Sequence, residues 1–250
     1  MLTERIRARE PLVGTFLKTP HPMIVEVLGG SGLDYVILDA EHAPFDIAAL
    51  DASILAGRAV GIPCLVRLTV GTPADILRIL DMGADGFLVP HVTSAQYARE
   101  IVKAARYGAG GRGYSATNRA GQYGRVPMAT HIENATKTAV ILQIEDPEGV
   151  DAVDEIAAVE GIASCFVGRA DLAVAYGVND LSAKIVDDAV KKVVAACADR
   201  PVAVSTFAPS MDQVAGFLAK GVSMVAVASE HKPIQDFFSQ AAISAAKGAS

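Results

Sequence analysis

The feature that most constrains the fold is an eightfold alternation of short apolar stretches with longer amphipathic segments. The apolar stretches are rich in Val, Ile and Leu, as strands buried on both faces are, and the amphipathic segments have helical periodicity and end near glycine. The stretches lie at 12–18, 34–42, 63–68, 86–92, 139–145, 164–172, 201–207 and 223–230. This alternation over 250 residues predicts a single α/β domain, 1–250, folded as a closed parallel (β/α)8 TIM barrel, with an open doubly wound sheet as the structural alternative.

Composition excludes several classes of function. The formal net charge is -6, and no cluster of Lys and Arg interleaved with aromatic residues occurs, so nucleic acid is not an expected partner. The charged start MLTERIRARE does not resemble a signal peptide, and charge or glycine interrupts every apolar run. We therefore expect a cytoplasmic protein without membrane spans. Cys64, Cys165 and Cys197 are widely spaced and are expected to be reduced packing residues.

Charged and imidazole groups follow the predicted strands. Active sites of this fold lie at the mouth, the end of the barrel where the carboxyl ends of the strands meet. We therefore expect the site to be drawn from the groups at the strand exits, which are Asp39, Glu41, His42, Arg67, His91, Glu145 and Asp171.

Glu145 and Asp171 follow neighbouring predicted strands, so their carboxylates should meet at the mouth. Two close carboxylates repel unless they are protonated, paired with Lys or Arg, or bridged by a cation. The absence of Cys and His ligands on those strands favours a hard divalent ion, Mg²⁺ or Mn²⁺, with Co²⁺ also compatible. The functional interpretation is a metal site, and separate pairing of each acid with a basic residue is the structural alternative.

A divalent metal at the mouth indicates enolate chemistry on a 2-oxo acid. We find no lysine at a strand exit, which disfavours an aldolase that works through a Schiff base. His42 is the expected general acid or base, and Arg67 places a cation where oxyanion charge would develop. A simple salt bridge is the alternative for Arg67. The other histidines are expected to be structural, namely His21, His131 and His231, whereas the role of His91 is left open.

A glycine motif in the longest connection does not indicate a nucleotide site. Gly108, Gly110 and Gly113 satisfy G-x-G-x-x-G, but they follow a predicted helix instead of a strand. We interpret residues 107–124 as a mobile connection over the mouth. Its side chains Arg112, Tyr114 and Arg119 would contact substrate or a neighbouring subunit.

Six motifs together resemble the HpcH/HpaI family of class II pyruvate aldolases over nearly the whole chain. They are LDAEHAP (38–44), LVRL (65–68), ILDMGADGFLVP (79–90), RYGAGGRG (106–113), LQIED (142–146) and FVGRADLA (166–173). The resemblance implies that His42 is the general acid/base and that Asp81 raises its basicity, with Arg67 stabilising the oxyanion. It further implies that Glu145 and Asp171 bind the metal.

The resemblance also implies substrate contacts and an assembly. Gln143 and the backbone around Gly168 and Ala170 would hold the pyruvyl portion. The oligomer would be a hexamer, a trimer of dimers, in which the final helix, 233–246, is exchanged between subunits. The chain departs from the family pattern at Arg169, which replaces proline and would bind a second substrate carboxylate or pair with an outer acid.

Three functions are consistent with these residues. The leading hypothesis is a metal-dependent aldolase that cleaves a 4-hydroxy-2-oxo acid into pyruvate, or a close 2-oxo acid, and an aldehyde. The second is a decarboxylase of a 2-oxo diacid such as oxaloacetate, with Arg169 holding the departing carboxylate. The third is a barrel that binds a 2-oxo acid without catalysis, which the fold alone does not exclude.

Overall fold

A computed structural model, which describes residues 1–248, confirms the closed barrel. All eight strands are parallel and follow one another in chain order around the barrel, and the last strand pairs with the first, which excludes the open sheet. The strands are β1 (Leu12–Leu17), β2 (Tyr35–Asp39), β3 (Cys64–Arg67), β4 (Gly86–Val89), β5 (Ala139–Ile144), β6 (Ser164–Val167), β7 (Ala203–Ala208) and β8 (Met224–Ser229).

Helices connect the strands and cover the outside of the barrel. Within the described part of the chain, none combines the length and apolar character needed to span a bilayer. The α-helices are α1 (Leu2–Arg7), α2 (Pro22–Gly29), α3 (Ile47–Val60), α4 (Pro73–Asp81), α5 (Ala95–Ala105), α6 (Met128–Ala135), α7 (Pro147–Asp151), α8 (Val153–Ala157), α9 (Arg169–Ala175), α10 (Lys184–Cys197), α11 (Val214–Ala219) and α12 (His231–Gly248).

Every predicted strand exists, but three predicted stretches, 34–42, 86–92 and 164–172, extend three or more residues beyond the end of the strand. The second strand ends at Asp39, whose carboxylate accepts the backbone N–H groups of Glu41 and His42 and so starts a turn. The sixth ends at Val167, because Gly168 caps helix α9 and the chain turns helical at Arg169. The prediction of one strand over 164–172 is therefore wrong.

Two apolar layers hold the barrel together. One fills the barrel interior and includes Phe16, Tyr35 and Ile141, and the other lies between the strands and the surrounding helices. Tyr35 fills the interior so closely that a Cβ atom on Gly14 would lie 2.4 Å from its ring, which only glycine avoids. Ile6 of α1 is fully buried at the opposite end from the mouth, so the interior is a packed core instead of a pore.

Helix α12 departs from the regular arrangement. It packs mainly against β8, and Ile234, Phe237 and Phe238 are 49%, 68% and 65% exposed. A groove of about 700 Å³ lies beside it, lined by residues of α2 and α11 that include Leu28 and Val214. The apolar side chains of α12 are therefore left uncovered within this chain, although α12 follows the last strand and belongs to the helices that surround the barrel.

Candidate active site

Glu145 lies immediately after β5 and is 2% exposed. One carboxylate oxygen accepts the backbone N–H of His91 at 2.9 Å, and the other accepts the side-chain amide of Gln143. The pKa of Glu145 is raised to about 7, because burial and the nearby charge of Asp171 together outweigh the opposing contacts with His91 and Gln143. Glu145 is thus a desolvated carboxylate. Among the described residues its basic neighbour is His91, whose Nδ1 lies 3.6 Å from Oε1, and no Lys or Arg pairs with it.

Asp171 is close enough to Glu145 for its charge to act on that pKa, but it does not end a strand. It lies in the first turn of α9 and is exposed at the mouth side of β6. Gly168 precedes this helix, and a Cβ atom there would lie 2.7 Å from Oε2 of Glu145. The glycine therefore lets the start of α9 approach the buried carboxylate, which brings the two acids together as the sequence predicts.

These residues fit a hard divalent cation. The pKa of Glu145 is raised by burial and by the charge of Asp171, so a cation between these two carboxylates would stabilise their ionised forms. In addition, Oε1 of Gln143 is buried without a hydrogen-bond partner. Among the residues that the structure describes, no three or more His, Cys, Asp and Glu side chains are arranged so that they could hold a metal ion together, so the protein would supply two carboxylates and leave further positions to water and substrate.

A second group lies across the mouth around Arg67. Its guanidinium, 8% exposed, donates to both oxygens of Asp39 at 3.0 and 2.8 Å and lies 3.2 Å from Glu41. It also packs 4.7 Å from the ring centre of Phe16. Burial alone would raise the pKa of Asp39, but the hydrogen bonds and charge of Arg67 lower it below its usual value. Arg67 is therefore held rigidly at the mouth by carboxylates.

His42 follows the turn after β2, and its side chain is 56% exposed. Its Nε2 atom lies 3.8 Å from Oε2 of Glu41, and its backbone N–H donates to Asp39. Burial raises the pKa of Glu41, while the charges of Arg67 and His42 oppose the rise. The imidazole is accessible to a substrate and is not part of the core.

The structure does not bring Asp81 to His42. Asp81 ends α4 and forms an ion pair with Arg112, and the residues just after it lie at the start of β3 and β4, the end of the barrel opposite the mouth. Within one subunit, Asp81 therefore does not support the imidazole of His42. Its motif alone gave no information on which end of the barrel it occupies.

Arg169 does not point toward the metal carboxylates. Its guanidinium donates to the carbonyl of Leu181 at 2.7 Å and packs 4.9 Å from the ring centre of Phe217, between α9 and α11. The position of the guanidinium does not support binding of a second substrate carboxylate at the mouth. No carboxylate of the described chain lies within salt-bridge distance of it, but the charge of the outer acid Asp187 opposes the lowering of its pKa by burial. Ala170, by contrast, is exposed beside Asp171 in the first turn of α9.

The connection 107–124 does not cover the mouth. Arg112 binds Asp81, and Arg119 binds Asp51 of α3 and the carbonyl of Met82. These contacts fasten the connection to the outer side of the barrel. The prediction of a lid over the site is therefore wrong for the single chain. Tyr114, which is 39% exposed, packs against Tyr107 and His131, with ring centres 5.4 and 5.6 Å away.

Sequence reasoning missed a lysine at the mouth. Lys18 directly follows β1, and its ammonium lies 3.5 Å from Oδ2 of Asp39, so the statement that no lysine stands at a strand exit was wrong. Glu230, after β8, was also missed. It is buried and accepts the backbone N–H groups of Lys18 and Thr19, which fixes the loop that carries the lysine. The run Ser-Glu-His at the end of the eighth stretch was the available signal.

His91 also has a role that the sequence left open. Its backbone has φ of 54°, a left-handed conformation rare for residues other than glycine, and this geometry directs its N–H to Glu145. Its Nδ1 atom lies 3.0 Å from Asp146, and its pKa is raised because the acids Asp146, Glu145 and Glu41 together outweigh the opposing effect of burial. His91 thus links the two groups of the mouth.

Comparison with known proteins is consistent with this geometry. Residues 12–236 match the family model for HpcH/HpaI aldolase/citrate lyase. A 5-keto-4-deoxy-D-glucarate aldolase of Klebsiella pneumoniae is 34% identical over 228 residues, covering 90% of this chain and 88% of that protein. A solved HpcH/HpaI aldolase/citrate lyase family protein from Burkholderia cenocepacia has a TM-score of 0.92 and 30% identity, covering 98% of both chains.

A more distant structure shares only the fold. It is a citrate lyase beta subunit from M. tuberculosis complexed with oxaloacetate and magnesium, with a TM-score of 0.57 and 17% identity over 89% of this chain and 93% of that one. The extent of the family match and the identity over most of the chain carry the assignment. This chain is therefore a barrel enzyme of the HpcH/HpaI aldolase/citrate lyase family.

Proposed function

We propose that this enzyme reversibly cleaves a 4-hydroxy-2-oxo acid to pyruvate, or a close 2-oxo acid, and an aldehyde. The observation that carries the proposal is the buried carboxylate of Glu145, whose pKa is raised to about 7 beside Asp171 and Gln143. Glu145 and Asp171 would hold Mg²⁺ or Mn²⁺, with Co²⁺ as a substitute. When bound, the cation supplies Lewis acidity, which stabilises negative charge on the 2-oxygen of the substrate.

The side chains of the mouth supply the remaining steps. His42 removes the proton of the 4-hydroxyl, the C3–C4 electron pair passes to C3, and the aldehyde forms at C4. Arg67, held by Asp39 and Glu41, stabilises the oxyanion of the resulting enolate. Protonation at C3 then gives the 2-oxo acid. Gln143 and the backbone of Gly168 and Ala170 orient the pyruvyl portion.

A retro-aldol assay of a 4-hydroxy-2-oxo acid, with coupled detection of pyruvate, tests the metal requirement. Chelation should abolish cleavage, and Mg²⁺ or Mn²⁺ should restore it. Glu145→Gln and Asp171→Asn should not be restored, whereas Asp199→Asn, which removes an exposed acid, should behave as the wild type. Cleavage that survives complete metal removal would contradict the proposal.

Lys18 requires a separate test of imine chemistry. Its amine is about one-third exposed and forms an ion pair with Asp39, whereas an imine-forming lysine is typically desolvated. Borohydride treatment in the presence of pyruvate should therefore leave activity unchanged and add no mass to the chain. Covalent trapping at Lys18 would replace the metal mechanism with a Schiff base.

The other hypotheses lose support. Decarboxylation of a 2-oxo diacid relied on Arg169, whose guanidinium packs between α9 and α11 instead of facing the mouth. A barrel without catalysis does not accord with the named aldolases that are 34% identical over most of the chain. Equal initial rates on oxaloacetate and on a hydroxy-oxo acid would reopen the decarboxylase.

We also propose that helix α12 is exchanged between subunits, within the hexamer that the resemblance implies. Its exposed Ile234, Phe237 and Phe238 need an apolar partner, and the groove between α2 and α11 offers one of about 700 Å³. Occupation of that groove by α12 of a second copy would cover both surfaces at once. The two copies would thereby form the dimer unit.

A further inference from the structure

A cleft at the end of the barrel opposite the mouth is lined by three arginines. Its volume is about 740 Å³, and its walls include the segments that lead into β6 and β7. Arg7 comes from α1, Arg106 follows α5, and Arg200 lies between α10 and β7. Among the lining residues Glu160 is the one acid, and it is exposed. The fold thus gathers cations from three distant parts of the chain.

None of these three arginines forms a salt bridge with a carboxylate of the part of the chain that the structure describes. Arg106 donates to three backbone carbonyls, those of Ala135, Thr138 and Gly161, at 2.8 to 3.3 Å. Arg200 donates to the carbonyl of Ala196. Backbone carbonyls position the guanidinium groups but leave their positive charge uncompensated.

This lack of pairing differs from the treatment of arginines elsewhere in the chain. Arg5 binds Glu10 and Asp34, and Arg119 binds Asp51. With a net charge of -6, the protein has more acids than bases, so unpaired arginines are not a general consequence of composition. Burial and, to a lesser extent, the charge of Arg7 lower the pKa of Arg106 to about 10, so the charged form of Arg106 is destabilised by its place in this cluster.

We propose that this cleft binds a small, multiply charged oxyanion, either a phosphate-bearing molecule or a polycarboxylate. Guanidinium groups donate pairs of hydrogen bonds to oxygens of both classes, and a cleft of about 740 Å³ accommodates a small metabolite. An anion at this position would offset the repulsion between Arg7 and Arg106. Because the cleft lies at the end of the barrel away from Glu145 and His42, the site is separate from the proposed reaction.

Calorimetric titration of metal-free protein with inorganic pyrophosphate and, separately, with tricarballylate tests the site. The key variant is Arg7→Gln with Arg200→Gln, because Arg106 is needed for backbone contacts. The control is Arg78→Gln with Arg125→Gln, which removes the same charge from exposed positions outside the cleft. If thermal unfolding shows that the double variant is damaged, Arg7→Gln alone, at an exposed position on α1, replaces it.

We expect saturable binding of at least one anion by the wild type and the control, and at least tenfold weaker binding by the cleft variant. The tighter of the two anions identifies the class of ligand. Absence of binding by the wild type at millimolar concentration, or equal binding by the cleft variant, would overturn the proposal. A combination of two results would also overturn it: no anion binding by the wild type, and dissociation of its oligomer in the cleft variant as measured by sedimentation. An acidic surface of a second copy would then fill the cleft.

Discussion

At the scale of single residues, His42 combines accessibility with a fixed backbone. Its side chain is 56% exposed, with Nε2 3.8 Å from Oε2 of Glu41, while its backbone N–H donates to Asp39. Replacement by Ala should therefore leave the fold and the affinity for Mn²⁺ unchanged and should lower kcat by about a hundredfold or more. His21→Ala, which removes an exposed imidazole from the loop after β1, should retain near wild-type turnover. Unchanged turnover in the His42 variant would remove it from the mechanism.

Glu145 makes stability depend on pH in a definite direction. Its folded pKa of about 7 exceeds the ordinary 4.5, so the folded state binds this proton more tightly than the unfolded state does. The free energy of unfolding is therefore not reduced by Glu145 below pH 4.5, falls as the pH rises to about 7, and stays constant above pH 7. In metal-free protein, Glu145→Gln should raise the free energy of unfolding above pH 7 by on the order of 3 kcal/mol, with no gain near pH 4.

Denaturant titration at several pH values measures this difference. Gln at position 145 keeps an oxygen for the N–H of His91. Its new amide replaces the oxygen that accepts from Nε2 of Gln143, so the side-chain amide of Gln143 must rotate by about 180° for its unpartnered Oε1 to accept from the new group. Saturating Mg²⁺ should reverse the order by stabilising only the wild type. A variant that is less stable than metal-free wild type at pH 8 would show that Glu145 is compensated by a contact other than a cation.

Sequence reasoning located several mouth residues because the barrel fold places the carboxyl end of every strand at the mouth. Glu145 and Arg67 could be placed in this way, since each lies at or just after a strand of known direction. Asp81 and Arg169 could not, because a side chain on a helix end is oriented by packing between elements that are distant in the sequence. Arg169 stacks on Phe217, 48 positions away in the numbering, which no local pattern signals.

At the scale of elements, the β6 to α9 junction controls the site. Gly168 allows the first turn of α9 to approach Glu145, because a Cβ atom there would lie 2.6 Å from Cβ and 2.7 Å from Oε2 of that residue. Gly168→Ala should therefore displace the start of α9 and weaken Mn²⁺ binding by at least tenfold, as measured by electron paramagnetic resonance. The helix itself should remain, because alanine favours it.

Gly216→Ala is the matched control for this junction. Gly216 lies in α11, and a Cβ atom added there meets nothing within 4 Å. The substitution should leave Mn²⁺ binding unchanged and raise thermal stability slightly, since alanine lowers the entropy cost of forming a helix. Equal metal affinity in both variants would mean that the α9 start does not set the distance between Asp171 and Glu145.

At the scale of the whole molecule, charge and assembly were the properties least accessible to sequence reasoning. The net charge of -6 correctly indicates an acidic protein, but it gives no sign that Arg7, Arg106 and Arg200 meet in one cleft. These arginines are far apart in the chain, and only barrel closure places them together. The eightfold alternation, in contrast, depends on local periodicity and predicted the architecture in full.

Exchange of α12 between subunits would make the oligomer depend on the aromatic side chains of this helix. Phe237 and Phe238 are largely exposed and contact each other at 5.4 Å between ring centres, so replacing both with Ser removes little packing within one chain. If they fill the α2–α11 groove of a second copy, the wild type should sediment as a multiple of 26.0 kDa, and the variant should sediment as a species with fewer copies than the wild type. Val174→Ser, at an exposed apolar position on α9, is the control and should keep the wild-type mass.

Because exchange would bury large apolar surfaces in both directions, the variant with both phenylalanines replaced should also lose thermal stability that does not return at high protein concentration. A wild type that sediments at 26.0 kDa would show that α12 stays uncovered in solution, and the groove would then need another occupant.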